Sequence, residues 1–313
     1  MGWLFLWVQQ IFAVGDAGAL TDRQVQLYER FWRAHAQPND LLIWLGDNLY
    51  PAGHRETPRD RRRWRRVVAV SRAFPGVACA TPGNHDWKAG IEGLHRQAKD
   101  IPHYPAPGSS EPETLSAGIW RLCFIDSELF IRSGGRTFRW QRLDSLLSTF
   151  PPDALVLIVL HHPPRTAGAH GGSFPFTAHL FPLRILSPYL YVPLPLLGTL
   201  LIWVRKYARH PTDLSYPAYA MLAESLLVRA SRIPQPLFLL SGHEHNLQVH
   251  RIEPKKWALV SGSGCKTEPV ARRKALWARS VVGLWKLTPT SLEAYALVQP
   301  THPIWKYTES AVP

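Results

Sequence analysis

The stretch Leu41-Leu42-Ile43-Trp44-Leu45-Gly46-Asp47-Asn48-Leu49-Tyr50 decides how the fold of this chain is interpreted. Its first five residues are all apolar, which predicts a strand buried on both faces. A Gly-Asp turn follows at once, so the strand ends by presenting the carboxylate of Asp47 and, three residues later, the phenol of Tyr50. We interpret Asp47 as the centre of a metal site.

Other apolar runs in the chain end in the same way. Each run is short enough for a buried strand and is followed by Asp, Asn or His. Ligand sites in α/β sheets gather outside the carboxyl ends of strands, so the repeated pattern predicts that these polar residues meet at one site. The runs and the residues that follow them are 11–14 with Asp16, 77–81 with Asn84, His85 and Asp86, 154–160 with His161, and 236–242 with His243 and His245.

This set of residues has the composition of a two-metal site. Two cations about 3.5 to 4 Å apart can stabilise both the attacking and the leaving oxygen in phosphoryl transfer. Such a site needs a bridging carboxylate, oxygen ligands for the harder ion, and imidazoles or an amide oxygen for the softer one. The chain supplies each of these residue types.

The motifs also resemble those of the calcineurin-like metallophosphoesterases and, more narrowly, of the small purple acid phosphatases of the tartrate-resistant type. Two details carry the narrower resemblance: Tyr50 lies three residues after Asp47, and Gly18 stands where other metallophosphoesterases have a metal-binding His. The resemblance covers roughly residues 11 to 298, apart from one insertion. The motifs are Gly15-Asp16-Ala17-Gly18, Gly46-Asp47-Asn48-Leu49-Tyr50, Gly83-Asn84-His85-Asp86, Val159-Leu160-His161-His162-Pro163 and Gly242-His243-Glu244-His245-Asn246-Leu247-Gln248.

The resemblance implies two sets of metal ligands that share Asp47. A tyrosine phenolate is a hard, anionic ligand, so it implies Fe(III) in the first site, with Fe, Zn or Mn in the second. The first metal would be held by Asp16, Asp47, Tyr50 and His245, and the second by Asp47, Asn84, His161 and His243.

The activity that the resemblance implies is hydrolysis of phosphate esters, most simply of monoesters, by a metal-bound hydroxide. His85 matches a histidine that faces the substrate, and His170, nine residues after His161, matches a second one. Both would stabilise or protonate the leaving group, with Asp86 orienting His85. Two alternatives stay open: a phosphodiesterase or pyrophosphatase acting on nucleotide or lipid phosphates, and a metal-binding scaffold without activity.

For the fold we expect an α/β protein, a four-layer α/β/β/α sandwich of two mixed sheets flanked by helices. We expect a mixed sheet on the side of the motifs and antiparallel strands in the C-terminal portion. No low-complexity linker or internal repeat divides the chain, so we expect a single domain over residues 1–313. An apolar, proline-containing insertion interrupts it at about 173–235.

Within this insertion, residues 185–204 form a run of 20 residues without a charge, bordered by Arg184 and Arg205. The length would suit a membrane-spanning helix, but prolines interrupt its first half. Metal ligands on both sides of the run must also meet, which excludes a single crossing. Two interpretations remain: a cap or dimer element with its apolar face buried, or peripheral membrane contact with the basic flanks on anionic headgroups, bringing a lipid phosphate to the site.

The net charge of +13 fits attraction to nucleic acid, anionic membranes or phosphorylated substrates. The arginines of residues 59–66 predict a solvated helix face, and they lack the aromatic partners of a nucleic-acid groove, so we expect no sequence-specific nucleic-acid binding. Three well-separated cysteines predict neither a disulfide framework nor a cysteine zinc site. The oligomeric state stays open.

The N-terminal residues 1–8 are apolar but have neither a basic region nor a small-residue cleavage site. We therefore expect no removable signal peptide, and on that basis a cytoplasmic or peripheral membrane location.

Overall fold

The computed structural model describes residues 8–174, 176–185 and 189–308, so the N-terminal segment 1–7 lies outside the described residues. Within the described residues the strands form two sheets. The strands are β1 (Ile11–Val14), β2 (Leu41–Leu45), β3 (Val77–Thr81), β4 (Glu113–Ala117), β5 (Trp120–Phe124), β6 (Leu155–Val159), β7 (Leu237–Ser241), β8 (Leu247–Glu253), β9 (Lys256–Ser261), β10 (Trp277–Arg279), β11 (Gly283–Leu287), β12 (Ser291–Ala296) and β13 (Trp305–Thr308). The α-helices are α1 (Asp22–His35), α2 (Pro58–Ala73), α3 (Gly90–Ala98), α4 (Ser127–Arg132), α5 (Trp140–Ser148), α6 (Phe176–Leu180), α7 (Pro195–Tyr207) and α8 (Pro217–Arg232).

The first sheet has the strand order β13-β12-β11-β1-β2-β3. Its strands β1, β2 and β3 are parallel, with Ile11 opposite Leu41 and Leu41 opposite Val77. The C-terminal strands β11, β12 and β13 extend it in antiparallel fashion from β1. The expected antiparallel pairing of the C-terminal portion is confirmed here.

The second sheet has the order β10-β8-β9-β7-β6-β5-β4. Strands β5, β6, β7 and β9 are parallel, and β4, β8 and β10 pair antiparallel at the two sides. Both sheets are therefore mixed. The strands that end in the predicted site residues are divided between them: β1, β2 and β3 lie in the first sheet, and β6 and β7 in the second.

Alternating side chains give the sandwich its layers, because successive strand residues point to opposite faces of a sheet. Ile11 of β1 packs between the two sheets, whereas its neighbour Phe12 packs outward against α1 and α2. In the second sheet Leu157 points to the inter-sheet core and Ile158 points outward against α4, α5 and α8. The order helix, sheet, sheet, helix confirms the four-layer α/β/β/α prediction.

The insertion contains α6, α7 and α8, and residues 175 and 186–188 within it lie outside the described residues. The structure does not support a cap whose apolar face is buried within this chain, because the large apolar side chains of α7 are mostly exposed. Among the described residues, none of the helices combines the length and the apolar character needed to cross a membrane. The single domain over residues 1–313 stays a prediction.

Candidate metal centre

Three of the predicted ligands occupy strained backbone positions directly after strands. Asp16, Asp47 and His243 have φ angles of 59°, 53° and 69°, in the left-handed region that side chains other than glycine rarely adopt. Such a conformation costs roughly 1 to 3 kcal/mol per residue and persists only where surrounding structure enforces it. The surrounding structure therefore holds these turns in a conformation that directs the three side chains toward one point.

Two glycines allow the strand ends to approach each other. Gly46 has a φ of 84°, and a Cβ there would lie 2.6 Å from Nδ1 of His161. A Cβ at Gly83 would collide with the backbone N and the carboxylate of Asp47. Both positions thus require glycine for the ends of β2, β3 and β6 to meet.

The first predicted ligand set comes together around Asp16. Its Oδ1 accepts a hydrogen bond from the phenol of Tyr50 at 2.6 Å and lies 3.2 Å from Nε2 of His245. The Tyr50 oxygen is also 3.2 Å from that nitrogen. Asp16, Tyr50 and His245 are all buried, which places these donor atoms out of water.

The second predicted set surrounds Nε2 of His161. This nitrogen lies 3.1 Å from Oδ1 of Asn84, 3.3 Å from Nδ1 of His243 and 3.5 Å from Oδ1 of Asp47. Ligand atoms of Asp16, Asp47 and His161 lie within 4.8 Å of one another, so Asp47 stands between the two sets. The structure brings all seven predicted metal ligands together.

The hydrogen bonds behind the imidazoles determine which nitrogens face the site. Nδ1 of His161 lies 2.8 Å from the carbonyl of Leu45, and Nε2 of His243 lies 2.8 Å from the carbonyl of Thr212. Carbonyl oxygens only accept, so these nitrogens carry the protons and the opposite nitrogens face inward. Orientation of this kind is typical of metal-binding histidines.

The residues present fit a pair of cations. Nε2 of His161 faces the amide oxygen of Asn84 and the unprotonated nitrogen of His243, and one proton cannot satisfy both acceptors. The nearby Oδ1 of Asp47 accepts from the backbone N–H of His85 and adds a negative charge. Buried acceptors without a donor cost free energy, so this arrangement needs positive charge. A cation bound by these atoms would supply it.

Without metal, protons carry that charge. Burial alone would lower the pKa of His245, but contact with Asp16 and Glu268 outweighs it and raises the pKa to about 10. Burial would raise the pKa of Asp16, but the hydrogen bond and positive charge of His245 lower it below the usual value. Burial and then the charges of Asp16 and Asp47 raise the pKa of Tyr50 well above its usual value. Metal binding must displace these protons.

His85 lies at the edge of this cluster, as predicted for a substrate-facing residue. Its Nε2 is 3.9 Å from Oδ2 of Asp47, and its Nδ1 is 2.5 Å from the carbonyl of Pro51. The side chain is 27% exposed, so it is reachable from solvent. Burial, partly offset by the charge of Asp47, lowers the pKa of His85.

The predicted role of Asp86 is wrong. Its carboxylate accepts hydrogen bonds from the backbone N–H groups of Asn48, Leu49 and Gly83 and from the side chain of Gln97. Within the described part of the chain it has no hydrogen bond to the His85 ring. Because backbone donors of two loops converge on it, Asp86 holds these loops together instead of orienting His85.

His170 reaches the site through contacts that the sequence did not predict. Its ring centroid lies 4.1 Å from that of His243, and its Nδ1 is 2.8 Å from Oδ1 of Asp213. Arg205 binds the same carboxylate with distances of 3.1 and 3.2 Å. Asp213 and Arg205 lie in or beside the insertion, where no motif marked them.

Three further residues at the site were missed. His162 is buried, and its ring centroid lies 4.4 Å from that of His243. Its position directly after His161 in the sequence could have indicated that it lies at the site. Lys88 lies with Nζ 3.1 Å from Nδ1 of His85, and Lys266 lies with Nζ 4.1 Å from the centre of the Tyr50 ring. The two lysines make the entrance positively charged.

The fold and the convergent carboxylates, imidazoles and amide are those of a metal-dependent phosphoesterase. A family model described as "Calcineurin-like phosphoesterase" matches residues 10–247, and the chain belongs to this family. The predicted family is thereby confirmed. No curated protein sequence gives a significant match.

Two solved structures illustrate the shared fold. A protein described as GAP50, the anchor in the inner membrane complex of Plasmodium, is 14% identical with a TM-score of 0.59, over 96% of this chain and 88% of that one. The purple acid phosphatase PPD1 from yellow lupin seeds is 12% identical with a TM-score of 0.58, over 97% of this chain and 54% of the lupin chain. At these identities the likeness concerns the fold.

Proposed function

We propose that this protein is a binuclear-metal phosphomonoesterase. The observation that carries the proposal is the pair of donor sets meeting at Asp47, with the solvent-accessible imidazole of His85 3.9 Å from the same carboxylate. Such a site can bind a phosphoryl group and place a proton donor beside it. The substrate class is a phosphorylated small molecule or lipid.

The donor chemistry supports two different metals. We assign Fe(III) to the set that contains the Tyr50 phenol, because a phenolate is a hard, anionic ligand that favours a trivalent cation. The other set, with two imidazoles and an amide oxygen, suits Fe, Zn or Mn. When bound, the two cations would neutralise charge on the phosphoryl oxygens and lower the pKa of the attacking water.

In this proposal His85 protonates the leaving oxygen. The Pro51 carbonyl holds the proton on Nδ1, so Nε2 is the nitrogen directed toward the substrate. The lowered pKa of His85 favours the protonated ring only at acidic pH, which predicts activity that falls as the pH rises. His170, held by Asp213, is the second donor near the leaving group.

The two lysines favour a second candidate, a pyrophosphatase or phosphodiesterase. Lys88 and Lys266 are exposed beside His85 and Tyr50, where they can bind a further anionic group of the substrate. A scaffold without activity is a third possibility, in view of the Plasmodium protein described as an anchor. The complete donor set with His85 beside it favours catalysis over this role.

The test is turnover of an aryl phosphate, a bis-aryl phosphate and pyrophosphate by one sample whose metal content is measured. Preference for the aryl phosphate supports the monoesterase, and preference for either other substrate supports the second candidate. Absence of turnover with two metals bound would support the scaffold.

His85→Ala tests the role of the imidazole. We expect kcat to fall by roughly 10²- to 10⁴-fold with metal content preserved, the usual contribution of a general acid. The exposed His95→Ala is the matched control. Unchanged kcat in His85→Ala would remove His85 from the mechanism.

A further inference from the structure

Helix α7 presents an apolar stripe to solvent. The stripe consists of residues three and four apart, which lie on one side of a helix. Leu196 is 88% exposed, Trp203 59% and Tyr207 61%. A surface helix normally turns its apolar side to the core, and a contiguous exposed apolar patch marks an interaction site. The outer stripe comprises Leu196, Leu200, Trp203, Val204 and Tyr207.

The opposite side of α7 faces the protein and fixes the orientation of the helix. A Cβ at Gly198 would collide with the backbone carbonyl of His179, so α7 packs closely on α6. Ile202 is partly buried on the same side, and Arg205 forms its ion pair with Asp213. Turning the outer stripe inward would break these contacts.

Positive charge borders the outer stripe. Arg272, Arg273 and Lys274 form an exposed turn. Lys274 lines a cavity of about 290 Å³ together with Trp203 of the stripe, which places this turn beside α7. The sequence has no acidic residue between Asp153 and Asp213. The border of the stripe beside Trp203 is therefore basic.

We propose that this protein docks on the surface of a bilayer containing anionic lipids. The outer stripe enters the interface between headgroups and acyl chains, and the turn Arg272–Lys274 binds the headgroups. Aromatic and aliphatic side chains with a basic border are the composition of such interfacial helices. A second copy on the same surface fits less well, because the segment 154–212 that carries the stripe has no acidic residue to pair with the basic turn of the other copy.

The docking surface adjoins the candidate metal centre. Arg205 on the inner side of α7 pairs with Asp213, and Asp213 contacts His170. A bilayer bound at the outer stripe would therefore lie on the same side as His170. The docking inference does not depend on the proposed function, since it uses no metal ligand.

The experiment is flotation of the full chain with vesicles of phosphatidylcholine alone or mixed with phosphatidylglycerol. Leu200→Glu/Trp203→Glu alters the outer stripe, and Arg272→Gln/Arg273→Gln/Lys274→Gln removes the basic turn. Val298→Glu is the matched control, because Val298 is 65% exposed and lies outside the stripe. Thermal unfolding and aryl phosphate turnover without vesicles check that each variant is folded, separately from docking.

We expect the wild type and Val298→Glu to float with the anionic vesicles and to be released by salt. The stripe variant should bind at least tenfold more weakly, since loss of one buried apolar side chain corresponds to roughly ten- to 100-fold in affinity. The basic-turn variant should lose the preference for anionic vesicles. Absence of wild-type flotation, or equal flotation of the stripe variant, would overturn the inference. A dimeric wild type that does not bind vesicles, together with a monomeric stripe variant in sedimentation, would also overturn it. That result would assign the stripe to a contact between two copies of this chain.

Discussion

Replacement of Glu268 tests whether a carboxylate beside a predicted metal-binding histidine increases the affinity of the site for metal. Oε1 of Glu268 lies 2.8 Å from Nδ1 of His245, and the Glu268 N–H donates to the carbonyl of the same histidine at 2.7 Å. Burial alone would raise the pKa of Glu268, but contact with His245 lowers it to about 2. The carboxylate therefore stays charged and keeps the Nδ1 proton directed away from the site, leaving Nε2 for a cation.

The expected magnitude follows from this geometry. Loss of a group that holds a metal-binding histidine typically lowers metal affinity by roughly 10- to 100-fold, about 1.4 to 2.8 kcal/mol. The Glu268 side chain is 42% exposed, so water replaces part of the interaction, and we expect about tenfold for Glu268→Ala. Glu268→Gln keeps an acceptor but loses the charge, so its effect should be smaller.

The assay is competition between metal-free protein and a chromogenic chelator for Zn(II), at pH 5 and at pH 7. The lowered pKa means that Glu268 contributes fully above its ordinary value of 4.5 and loses its contribution only as the pH falls toward about 2. Glu268 of the wild type is therefore charged in both measurements, and its contribution should be present at pH 5 as well as at pH 7. Glu224→Gln, exposed on α8, is the control. Equal affinity of Glu268→Ala and wild type would refute the reasoning.

Three further predictions concern other parts of the site and its support. Tyr50→Phe should abolish the visible charge-transfer band of the oxidised protein, and a colourless wild type would contradict the Fe(III) assignment. Burial raises the pKa of Asp126 in the folded protein to about 7. Between pH 4 and 7 the folded protein therefore keeps this proton, whereas the unfolded chain has lost it. Stability should fall across this window, by at most about 4 kcal/mol, in urea unfolding of the wild type but not of Asp126→Asn; equal pH slopes would refute this. Gly83→Ala should lower the free energy of unfolding by about 1 to 3 kcal/mol and reduce metal content, because its Cβ would overlap Asp47; retained metal content and an unchanged unfolding midpoint would contradict it.

The sequence predicted the strands and the inward-facing donors well, for a local reason. Apolar runs such as 41–45 and 155–159 are buried on both faces, so composition alone identifies them as strands. Asp47 and His161 follow these runs directly, and strand ends in such sheets converge. The residues that meet at the site could therefore be predicted from short segments, and the resemblance of those segments to the family's motifs implied the ligand sets.

The groups that support those donors could not be predicted in this way. Glu268 and Asp213 come from segments without a motif, and they reach His245 and His170 only because distant parts of the chain fold over the site. The partners of the Asp86 carboxylate could not be predicted from its sequence neighbours either. Its neighbour in sequence is His85, but its partners are backbone N–H groups that only the tertiary structure brings within 3.0 Å.

The sequence by itself thus determined where Asp47 stands, at the end of a buried strand, and which residue types could join it. Only the tertiary structure decided which atoms face a cation, since hydrogen bonds to Leu45 and Thr212 and the ion pair with Glu268 orient the imidazoles. It also decided that the outer stripe of α7 faces solvent. Hydrophobic periodicity identifies the apolar side of a helix, but long-range packing determines what that side meets.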